Sequence, residues 1–392
     1  MIAVEQAKEL VKKNVSPLGI IDISVIDAQN FYLAEDIIAP VSIPLFDQSA
    51  MDGYAFRFED INNPLNIVDE IPAGDTRTVN INPTEAVRIF TGSKVPESCD
   101  TVVMQELIEL QDGKLLIKDA GLKFGGNIRL KGNQITKGSV ALKKGAKINA
   151  GAIGFLSTLG ITSIKVHAQP KTVIIATGSE LVKPGKELEE GQIYESNTVM
   201  LEAALNKKGI KPTIFVVDDN KEATSKMIAE ALKNNALILL SGGISVGDYD
   251  FVKEALENNG VKEVFYKIKQ KPGKPLYFGQ TATNSIFALP GNPAAALNCF
   301  YEYVSMAINL MVGNPQIDLP IISLPISKRY TKKTGRANFL KATTDYKTVI
   351  PLEGQGSDAL QAFSLANCLI YIPSEITEIN QNEMVEVHLL PS

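Results

Sequence analysis

Histidine and cysteine are scarce in this sequence, and tryptophan is absent. The 392 residues include two histidines and three cysteines. His167 and His388 lie far apart, and neither belongs to a glycine- or proline-bounded motif. Cys99, Cys299 and Cys368 are widely separated and form no CxxC pair. This pattern argues against a structural zinc site, a disulfide framework and a His-based triad, so we interpret both histidines as ordinary strand or loop residues.

The sequence also lacks a long apolar run and an excess of basic residues. No apolar run approaches the ~20 residues that a membrane span needs. The net charge of −5 argues against a general nucleic-acid binder, which is usually basic. The first residues, MIAVEQAKELVKK, predict an amphipathic helix and not a signal peptide. We therefore expect a cytoplasmic protein of about two to four domains, with neither nucleic acid nor membrane as a partner.

The stretch ALILLSGGISVGDYDF, residues 236–251, combines an apolar run with a glycine-rich loop. Its first five residues are typical of a strand covered on both faces. Gly242 and Gly243 then let the backbone turn sharply and approach a ligand. Asp248 and Asp250 precede a helix that the apolar spacing of FVKEAL predicts. Ligands of α/β sheets bind at such strand-to-helix loops, although a tight turn with a helix cap is the alternative.

Two further segments contain proline and glycine. The first surrounds Pro272-Gly273 with four lysines, Lys267, Lys269, Lys271 and Lys274. Such a cluster suggests an anionic ligand, and a solvated basic turn is the alternative. The second segment, LPGNP, separates a strand-like NSIFAL from a helix-like AAALNCFYEYV. Its Pro293 is expected near the helix start, where the missing N–H costs nothing.

Strands and helices alternate regularly from residue 171 onward. This alternation predicts a parallel sheet with crossover helices. The loops that follow three of its strands are GSEL, VDDN and SGGISVGDYD. All three loops carry carboxylates, which predicts a common cleft, whereas helix capping would account for one or two of them. These carboxylates are Glu180, Asp218, Asp219, Asp248 and Asp250.

Short strands dominate two other parts of the chain. Between residues 67 and 117, the segments IVDEIPAG, VNINP, VRIF, TVVMQELIEL and KLLIK predict a β-rich domain without long helices. Asp112-Gly113 predicts a hairpin turn there. Strands return after residue 315 and predict a small β-barrel or sandwich. Asp52-Gly53, in FDQSAMDGYA, is either a hairpin turn or part of a site.

The segments SGGISVGDYDF, KPGKP and LPGNP, in this order and spacing, resemble the molybdopterin-binding domain of the MoeA/gephyrin E-domain family, the molybdopterin molybdenumtransferases. FDQSAMDGYA, RIFTGS, VVMQE and ATGSEL match the same family upstream, and TGRANFL and SLANC match it more loosely downstream. The resemblance runs nearly end to end. It implies an α/β multidomain fold with a central parallel-sheet domain, and the implied domains are a discontinuous N-terminal arm (1–45 plus 138–168), an inserted β-rich domain (46–137), the α/β molybdopterin-binding domain (169–314) and a C-terminal β-barrel domain (315–392).

The resemblance also implies an activity. The family inserts molybdate into adenylylated molybdopterin, with divalent-metal-dependent hydrolysis of the phosphoanhydride and release of AMP. The expected cofactor is Mg²⁺ or another divalent cation, and molybdate and adenylylated molybdopterin are the substrates. The expected partners are a second copy of the chain, in a homodimer with a shared active cleft, and a molybdopterin adenylyltransferase.

The resemblance assigns roles to individual residues. Its catalytic residues are Asp52, Glu180, Asp250, Lys267 and Lys271, of which Glu180 and Asp250 are the metal ligands. Lysines suit phosphate and molybdate because they are flexible point charges. The substrate-binding residues are Thr91, Asp219, Gly242, Gly243, Ser245, Gly247, Lys274, Pro290, Pro293, Arg336 and Ser357.

The chain departs from the family's sequence pattern at one position, and the assigned function has two alternatives. Where the family carries an acidic residue after the NIR segment, this chain has Gly132, Asn133 and Gln134, so the site loses a charge and its metal affinity is in question. A molybdopterin adenylyltransferase would share the α/β domain but lacks the N-terminal arm and the MDGYA segment. A non-catalytic scaffold of the gephyrin E-domain type would cluster a receptor, which a pull-down with receptor loop peptides would detect.

Overall fold

A computed structural model describes residues 1–178, 180–217, 220–242 and 251–391, with the backbone alone for Phe251. The chain begins with the predicted amphipathic helix, whose apolar side chains Val4, Ala7 and Val11 are buried. Two short strands follow it. The first elements are α1 (Val4–Asn14), β1 (Ile20–Ser24) and β2 (Ile37–Ile38).

Residues 46–137 contain a six-stranded sheet and no helix longer than a single 3₁₀ turn. The elements are β3 (Gln48–Ser49), β4 (Gly53–Phe56), β5 (Leu65–Ile71), β6 (Glu85–Ile89), β7 (Thr101–Met104), β8 (Ile108–Gln111), β9 (Lys114–Ile117) and β10 (Ile128–Arg129). The sheet order is β7-β4-β6-β5-β9-β8. The hairpin predicted at Asp112-Gly113 joins β8 to β9, with φ values of 51° and 77° at its two residues.

The strand predicted for VNINP, residues 79–83, is wrong. The N–H of Ile81 donates to Ser98 Oγ at 3.0 Å, and that of Asn82 donates to Glu85 Oε2 at 2.7 Å. Pro83 has no N–H to donate. The N–H groups of Ile81 and Asn82 therefore bond to side chains and are not available to a neighbouring strand.

The chain then returns to its first segment through β11 (Val140–Leu142), α2 (Ala150–Thr158) and β12 (Ser163–His167). β12 pairs antiparallel with β1, and β11 pairs antiparallel with β2. Asn149 caps α2 by accepting a hydrogen bond from the N–H of Ala152. This pairing agrees with an arm built from two segments, and the domain limits given above stay a prediction.

The central sheet lies in the predicted α/β domain. Its strands are apolar and, for β13, β17 and β21, buried along their whole length, as expected for a sheet covered on both faces. The elements are β13 (Thr172–Thr177), β14 (Leu181–Val182), β15 (Ile193–Tyr194), α3 (Asn197–Asn206), β16 (Thr213–Val217), α4 (Lys221–Asn234), β17 (Leu237–Ser241), α5 (Phe251–Asn258), β18 (Lys262–Tyr266), β19 (Gln270–Lys271), β20 (Tyr277–Gln280), β21 (Ser285–Leu289), α6 (Pro293–Cys299) and α7 (Ser305–Met311).

This sheet is mixed. Its strand order is β16-β13-β17-β21-β20-β18, in which the first four strands are parallel, β20 runs antiparallel to them, and β18 runs antiparallel to β20. The α/β class and the parallel core are confirmed. β18 and β20 were not predicted, and the basic turn lies on the connection between them. As a result the carboxyl ends of β13, β17 and β21 lie side by side.

The remaining chain is mostly strand, as predicted. Its elements are β22 (Ile321–Pro325), β23 (Tyr330–Thr331), β24 (Ala337–Thr344), β25 (Val349–Pro351), α8 (Leu360–Leu365), β26 (Cys368–Ile372), β27 (Glu378–Ile379) and β28 (Met384–Leu389). β24 pairs in parallel with β19, matching Gln270 to Ala337 and Lys271 to Asn338. This pairing holds the basic turn against the C-terminal domain.

Both histidines lie on strands, as predicted. His167 contacts the backbone oxygen of Leu18 at 3.0 Å. His388 is buried between Glu302 and Glu386, with a nitrogen 2.8 Å from a carboxylate oxygen on each side. Burial lowers the pKa of His388, but the contacts with Glu302 and Glu386 together outweigh burial and leave that pKa raised. Among the described residues, no helix has the length and apolar character needed to cross a bilayer.

Candidate active site

A cavity of about 740 Å³ opens at the carboxyl ends of β13, β17 and β21. Crevices in this position are the usual ligand sites of open α/β sheets. Loops after these strands form one side, and the basic turn and the C-terminal domain form the other. Eight of the predicted site residues line it together: Glu180, Gly242, Lys271, Lys274, Pro290, Pro293, Arg336 and Ser357.

Gly242 shows why the loop after β17 needs glycine. Its φ is +89°, which favours glycine, and a Cβ there would lie 2.5 Å from the carbonyl oxygen of Thr177. On its other side, a Cβ added to Gly291 would lie 4.0 Å from the Cα of Gly242. The loops after three neighbouring strands therefore approach each other through backbone alone, which leaves the cavity open above them.

Asn197, at the start of α3, ties two of these loops together and was not predicted. Its Nδ2 donates to Ser241 Oγ and to the carbonyl oxygen of Gly291, both at 2.8 Å. Its Oδ1 is buried and has no partner among the described residues, and the same holds for Thr177 Oγ1. Both residues line the cavity. Buried polar atoms nearly always have partners, which sets these two acceptors apart from the rest of the described lining.

The basic side of the cavity carries Lys271, Lys274 and Arg336, all exposed. Within the described ranges, none of the three forms an ion pair with a carboxylate. Gly273, between the lysines, has φ +88°, and a Cβ there would lie 2.5 Å from Cys299 Sγ. The turn is therefore held closely against α6. Unpaired cations facing one cavity attract an anionic ligand.

Ser357 fastens the C-terminal domain to the loop after β21. Its hydroxyl oxygen accepts from Asn292 Nδ2 at 2.6 Å, and its carbonyl oxygen accepts from the N–H of Ala295 at 3.0 Å. Pro293 is at the first turn of α6, as predicted. Asn292 also lines the cavity; it lies within the LPGNP segment, but no role of its own was predicted for its side chain, since an amide in a loop carries no signal of its own.

The acidic side of the cavity includes Glu180, Glu195 and Asp358. Glu195 is buried and caps α3, accepting from the N–H of Thr198 at 2.8 Å and from its hydroxyl. Across the described residues, no three His, Cys, Asp or Glu side chains form a group that could hold a metal ion. The described carboxylates therefore do not complete a metal site, and we derive no chemical step from a metal.

Several predicted residues lie outside the described residues. They are Asp219, Gly243, Ser245, Gly247 and Asp250, together with Asp218 and Asp248. Their roles stay predictions.

Lys267 is described but does not line the cavity. Its Nζ lies 4.4 Å from the centroid of the Tyr266 ring, and its φ is 65°. The catalytic role predicted for it stays untested.

Asp52 and Thr91 lie together in the β-rich domain and do not line the cavity of their own chain. Asp52 Oδ1 accepts from the N–H of Thr91 at 2.7 Å and from its hydroxyl at 2.8 Å. These bonds, with a smaller effect from Arg88, lower the pKa of Asp52. Arg88 lies over the Tyr54 ring, with Cζ 5.0 Å from the centroid. The two predicted residues thus form a second polar group with an ionised carboxylate.

Gly53 does not form a hairpin turn with Asp52, so that alternative is wrong. It is the first residue of β4, which pairs with both β6 and β7. A Cβ on Gly53 would lie 1.9 Å from the carbonyl oxygen of Val103. The glycine lets β4 and β7 approach and so fixes the backbone beside Asp52.

We expect Gly53→Ala to destabilise the protein by about 3 kcal/mol, since forced overpacking typically costs ~1–3 kcal/mol. Urea denaturation measures the free energy of unfolding. Gly19→Ala is the matched control, because a Cβ there meets nothing within 4 Å. Equal stability of the two variants would mean that β4 and β7 do not approach as described.

The fold and the cavity define a multidomain α/β protein with a cleft that carries lysine and arginine side chains on one side. Three family models match the chain: the MoeA N-terminal region (domain I and II) over residues 2–160, a probable molybdopterin binding domain over 173–309, and the MoeA C-terminal region (domain IV) over 323–390. The chain belongs to the MoeA family, the molybdopterin molybdenumtransferases.

Individual relatives match over the whole length. The molybdopterin molybdenumtransferase of Staphylococcus aureus (strain MSSA476) is 32% identical over 404 residues, covering 100% of this chain and 96% of that protein. The enzyme of the same name from Staphylococcus epidermidis (strain ATCC 12228) is 32% identical over 403 residues, with the same coverage. The solved structure of the molybdopterin biosynthesis MoeA protein from Pyrococcus horikoshii OT3 superposes with a TM-score of 0.84 at 26% identity, covering 100% of both chains. The resemblance inferred from the motifs is confirmed.

Proposed function

We propose that this transferase acts in molybdenum cofactor biosynthesis, inserting molybdate into adenylylated molybdopterin with hydrolysis of the phosphoanhydride and release of AMP. The observation that carries the proposal is the cavity at the carboxyl ends of β13, β17 and β21, with Lys271, Lys274 and Arg336 on its basic side. Both substrates are anions, and both would meet unpaired cations there. The family match over the whole chain supports the same reaction.

The cavity offers different groups to different parts of the substrate. Lysine ammoniums and the Arg336 guanidinium suit the phosphoanhydride and the molybdate oxygens. Asn197 Oδ1 and Thr177 Oγ1 are buried acceptors without a described partner, and they suit the N–H groups of a pterin ring. The backbone-lined gap at Gly242 and Gly291 lets a ligand approach the loops closely.

We propose a divalent cation, Mg²⁺ or another, with Glu180 and Asp250 among its ligands. Glu180 lines the cavity and supports this proposal, whereas Asp250 rests on the sequence resemblance. Gln134, which replaces the family's acidic residue, is exposed, and its N–H donates to the carbonyl oxygen of Ile43 at 3.0 Å. A neutral amide there is expected to weaken cation affinity.

We also propose a homodimer with a shared cleft, contact with a molybdopterin adenylyltransferase and a cytoplasmic location. Within one chain, the residues that line the cavity include none from 46–137, where Asp52 and Thr91 lie. A second chain would bring these residues to the cavity.

The three cysteines are free and buried, which agrees with a reducing compartment such as the cytoplasm.

Lys271→Met and Lys274→Met are each expected to raise the molybdate or substrate concentration for half-maximal rate by about tenfold or more, since a hydrogen bond to a charged group contributes ~1.5–3 kcal/mol. Titrating molybdate at fixed pterin substrate, and the reverse, measures the effect. Lys269→Met is the matched control, because Lys269 belongs to the same turn but does not line the cavity. An equal response of all three variants would mean that the turn is a solvated surface turn without a role in ligand binding.

The experiment that tests the function incubates the protein with adenylylated molybdopterin, Mg²⁺ and molybdate, and follows AMP. We expect AMP release that depends on molybdate. A molybdopterin adenylyltransferase would instead consume ATP and free molybdopterin, and a scaffold would turn over neither mixture. Either of those results would overturn the proposal.

A further inference from the structure

A second cavity, of about 480 Å³, lies where the N-terminal arm, the α/β domain and the C-terminal domain meet. It shares no lining residue with the active-site cavity in the part of the chain that the structure describes. Cavities of roughly 300–1,000 Å³ hold small-molecule ligands. Its size therefore suits a compound as large as a nucleotide.

Three lysines from two different parts of the chain line this second cavity. Lys207 and Lys208 follow α3, and Lys147 precedes α2 in the arm, beside Tyr32. No described carboxylate pairs with any of the three. The acidic lining residue within the described ranges is Asp318, which pairs with Lys12 at 3.1 Å. As far as the described residues show, the cavity therefore carries three lysines without a paired carboxylate.

Lys208 is half-buried and its ammonium has one described partner, Asn309 Oδ1, at 3.1 Å. The Nδ2 of Asn309 donates to the carbonyl oxygens of Gln316 and Ile317, so the amide is held in place. Burial, and after it the charge of Lys147, lower the pKa of Lys208 to about 8. An ammonium has three N–H donors, and two of those of Lys208 are open to a ligand.

The other polar groups of the cavity complement this charge. Lys207 Nζ donates to the carbonyl oxygen of Pro391 at 3.1 Å, and no carboxylate of residues 1–178, 180–217, 220–242 or 251–391 pairs with it. Tyrosine hydroxyls face the same space but are neutral near pH 8, since burial raises the pKa of Tyr32 and of Tyr301. Among the described lining residues, the charged and titratable groups around Lys208 are thus Lys147, Lys207, Asp318, Tyr32, Tyr301 and Tyr346.

We propose that this cavity is a second ligand site, which binds the phosphate group of a small molecule through Lys147, Lys207 and Lys208. A phosphate supplies the missing negative charge and several acceptor oxygens for the open N–H groups. The phosphate could be free or part of a nucleotide, and the cavity has room for either. The proposal is independent of the reaction at the active site.

The test measures binding of inorganic phosphate and of AMP by isothermal titration calorimetry, with wild-type protein and Lys208→Met. We expect at least one of the two ligands to lose about tenfold or more in affinity in the variant, since a hydrogen bond to a charged group contributes ~1.5–3 kcal/mol. Lys226→Met, on the exposed face of α4, removes the same charge elsewhere and should leave binding unchanged. AMP bound at the active site is distinguished because it responds to Lys271→Met and not to Lys208→Met.

The pH dependence separates a charge contact from loss of packing. A lysine with its pKa near 8 loses its charge as pH rises from 7 to 9, whereas a phosphate ester with its second pKa near ~6 keeps its charge from pH 8 to 9. Affinity of the wild type should therefore fall over this range, and Lys208→Arg should retain it. Binding at pH 8 should also take up protons, which titrations in two buffers of different ionisation enthalpy measure.

Two results would overturn the proposal. One is that neither phosphate nor AMP binds in a way that depends on Lys208. The other is that Lys208→Arg and Lys208→Met lose binding equally while both unfold at a lower temperature than wild type, because this would mark Lys208 as a packing residue.

Discussion

Asp250→Asn is expected to lower AMP release by at least about 100-fold, the scale on which a single preorganised electrostatic contact contributes to catalysis. Asparagine keeps the shape and removes the charge. The prediction rests on the position of Asp250 in the sequence, at the end of the glycine-rich loop after β17 and directly before α5. β17 itself ends at the cavity, beside Thr177 and Gly242.

A matched control removes a carboxylate from α5, the helix that follows Asp250 in the sequence. Glu254, in α5, is exposed and pairs with Lys221 at 2.6 Å, away from the cavity residues. Glu254→Gln should leave AMP release unchanged. Binding of Mn²⁺, followed by its electron paramagnetic resonance signal, gives a second readout that does not depend on turnover. Near wild-type AMP release and Mn²⁺ binding by Asp250→Asn would show that Asp250 is not part of the active site.

A mixture of two inactive variants is expected to recover about a quarter of wild-type activity if the cleft is shared in a two-fold dimer. The variants are Asp52→Asn and Asp250→Asn, co-expressed or co-refolded in equal amounts. Random pairing makes about half of the dimers mixed, and each mixed dimer has one intact and one doubly damaged site. Recovery depends on Asp52 from one chain serving the cavity of the other.

The structure supports this arrangement because Asp52 and Thr91 lie apart from the cavity of their own chain. Asp52 is held ionised by Thr91 in the β-rich domain, yet the described lining of the cavity in the same chain includes neither residue. If both residues served one site within a chain, every site in the mixture would carry a lesion. A monomer by sedimentation, or a mixture as inactive as its parents despite confirmed exchange of subunits, would contradict the shared cleft.

Apolar runs and glycine signals made much of the fold predictable. β13, β17 and β21 were predicted because strands buried on both faces must be apolar throughout. The Asp112-Gly113 hairpin was predicted because its turn needs positive φ at both residues. The antiparallel strands β18 and β20 were missed because their apolar content is interrupted by the basic turn between them, and strand direction leaves no trace in composition.

Lining residues of the cavity could be predicted where the residue type alone indicates its chemistry. The lysines of the basic turn and the glycine of the loop after β17 are examples. Asn197, and the contact of Asn292 with Ser357, were missed because they depend on residues that lie far away in sequence. An amide that joins two loops looks, in the sequence, like any other polar residue.

The most direct test of the account is the ratio of molybdenum inserted to AMP released, measured in one reaction across a range of molybdate concentrations. The account predicts one molybdenum incorporated for each AMP released, with both rates rising together as molybdate saturates the cavity. In Lys271→Met both should shift to higher molybdate by the same factor. AMP release that proceeds at full rate without molybdate, or molybdenum insertion without AMP release, would contradict it.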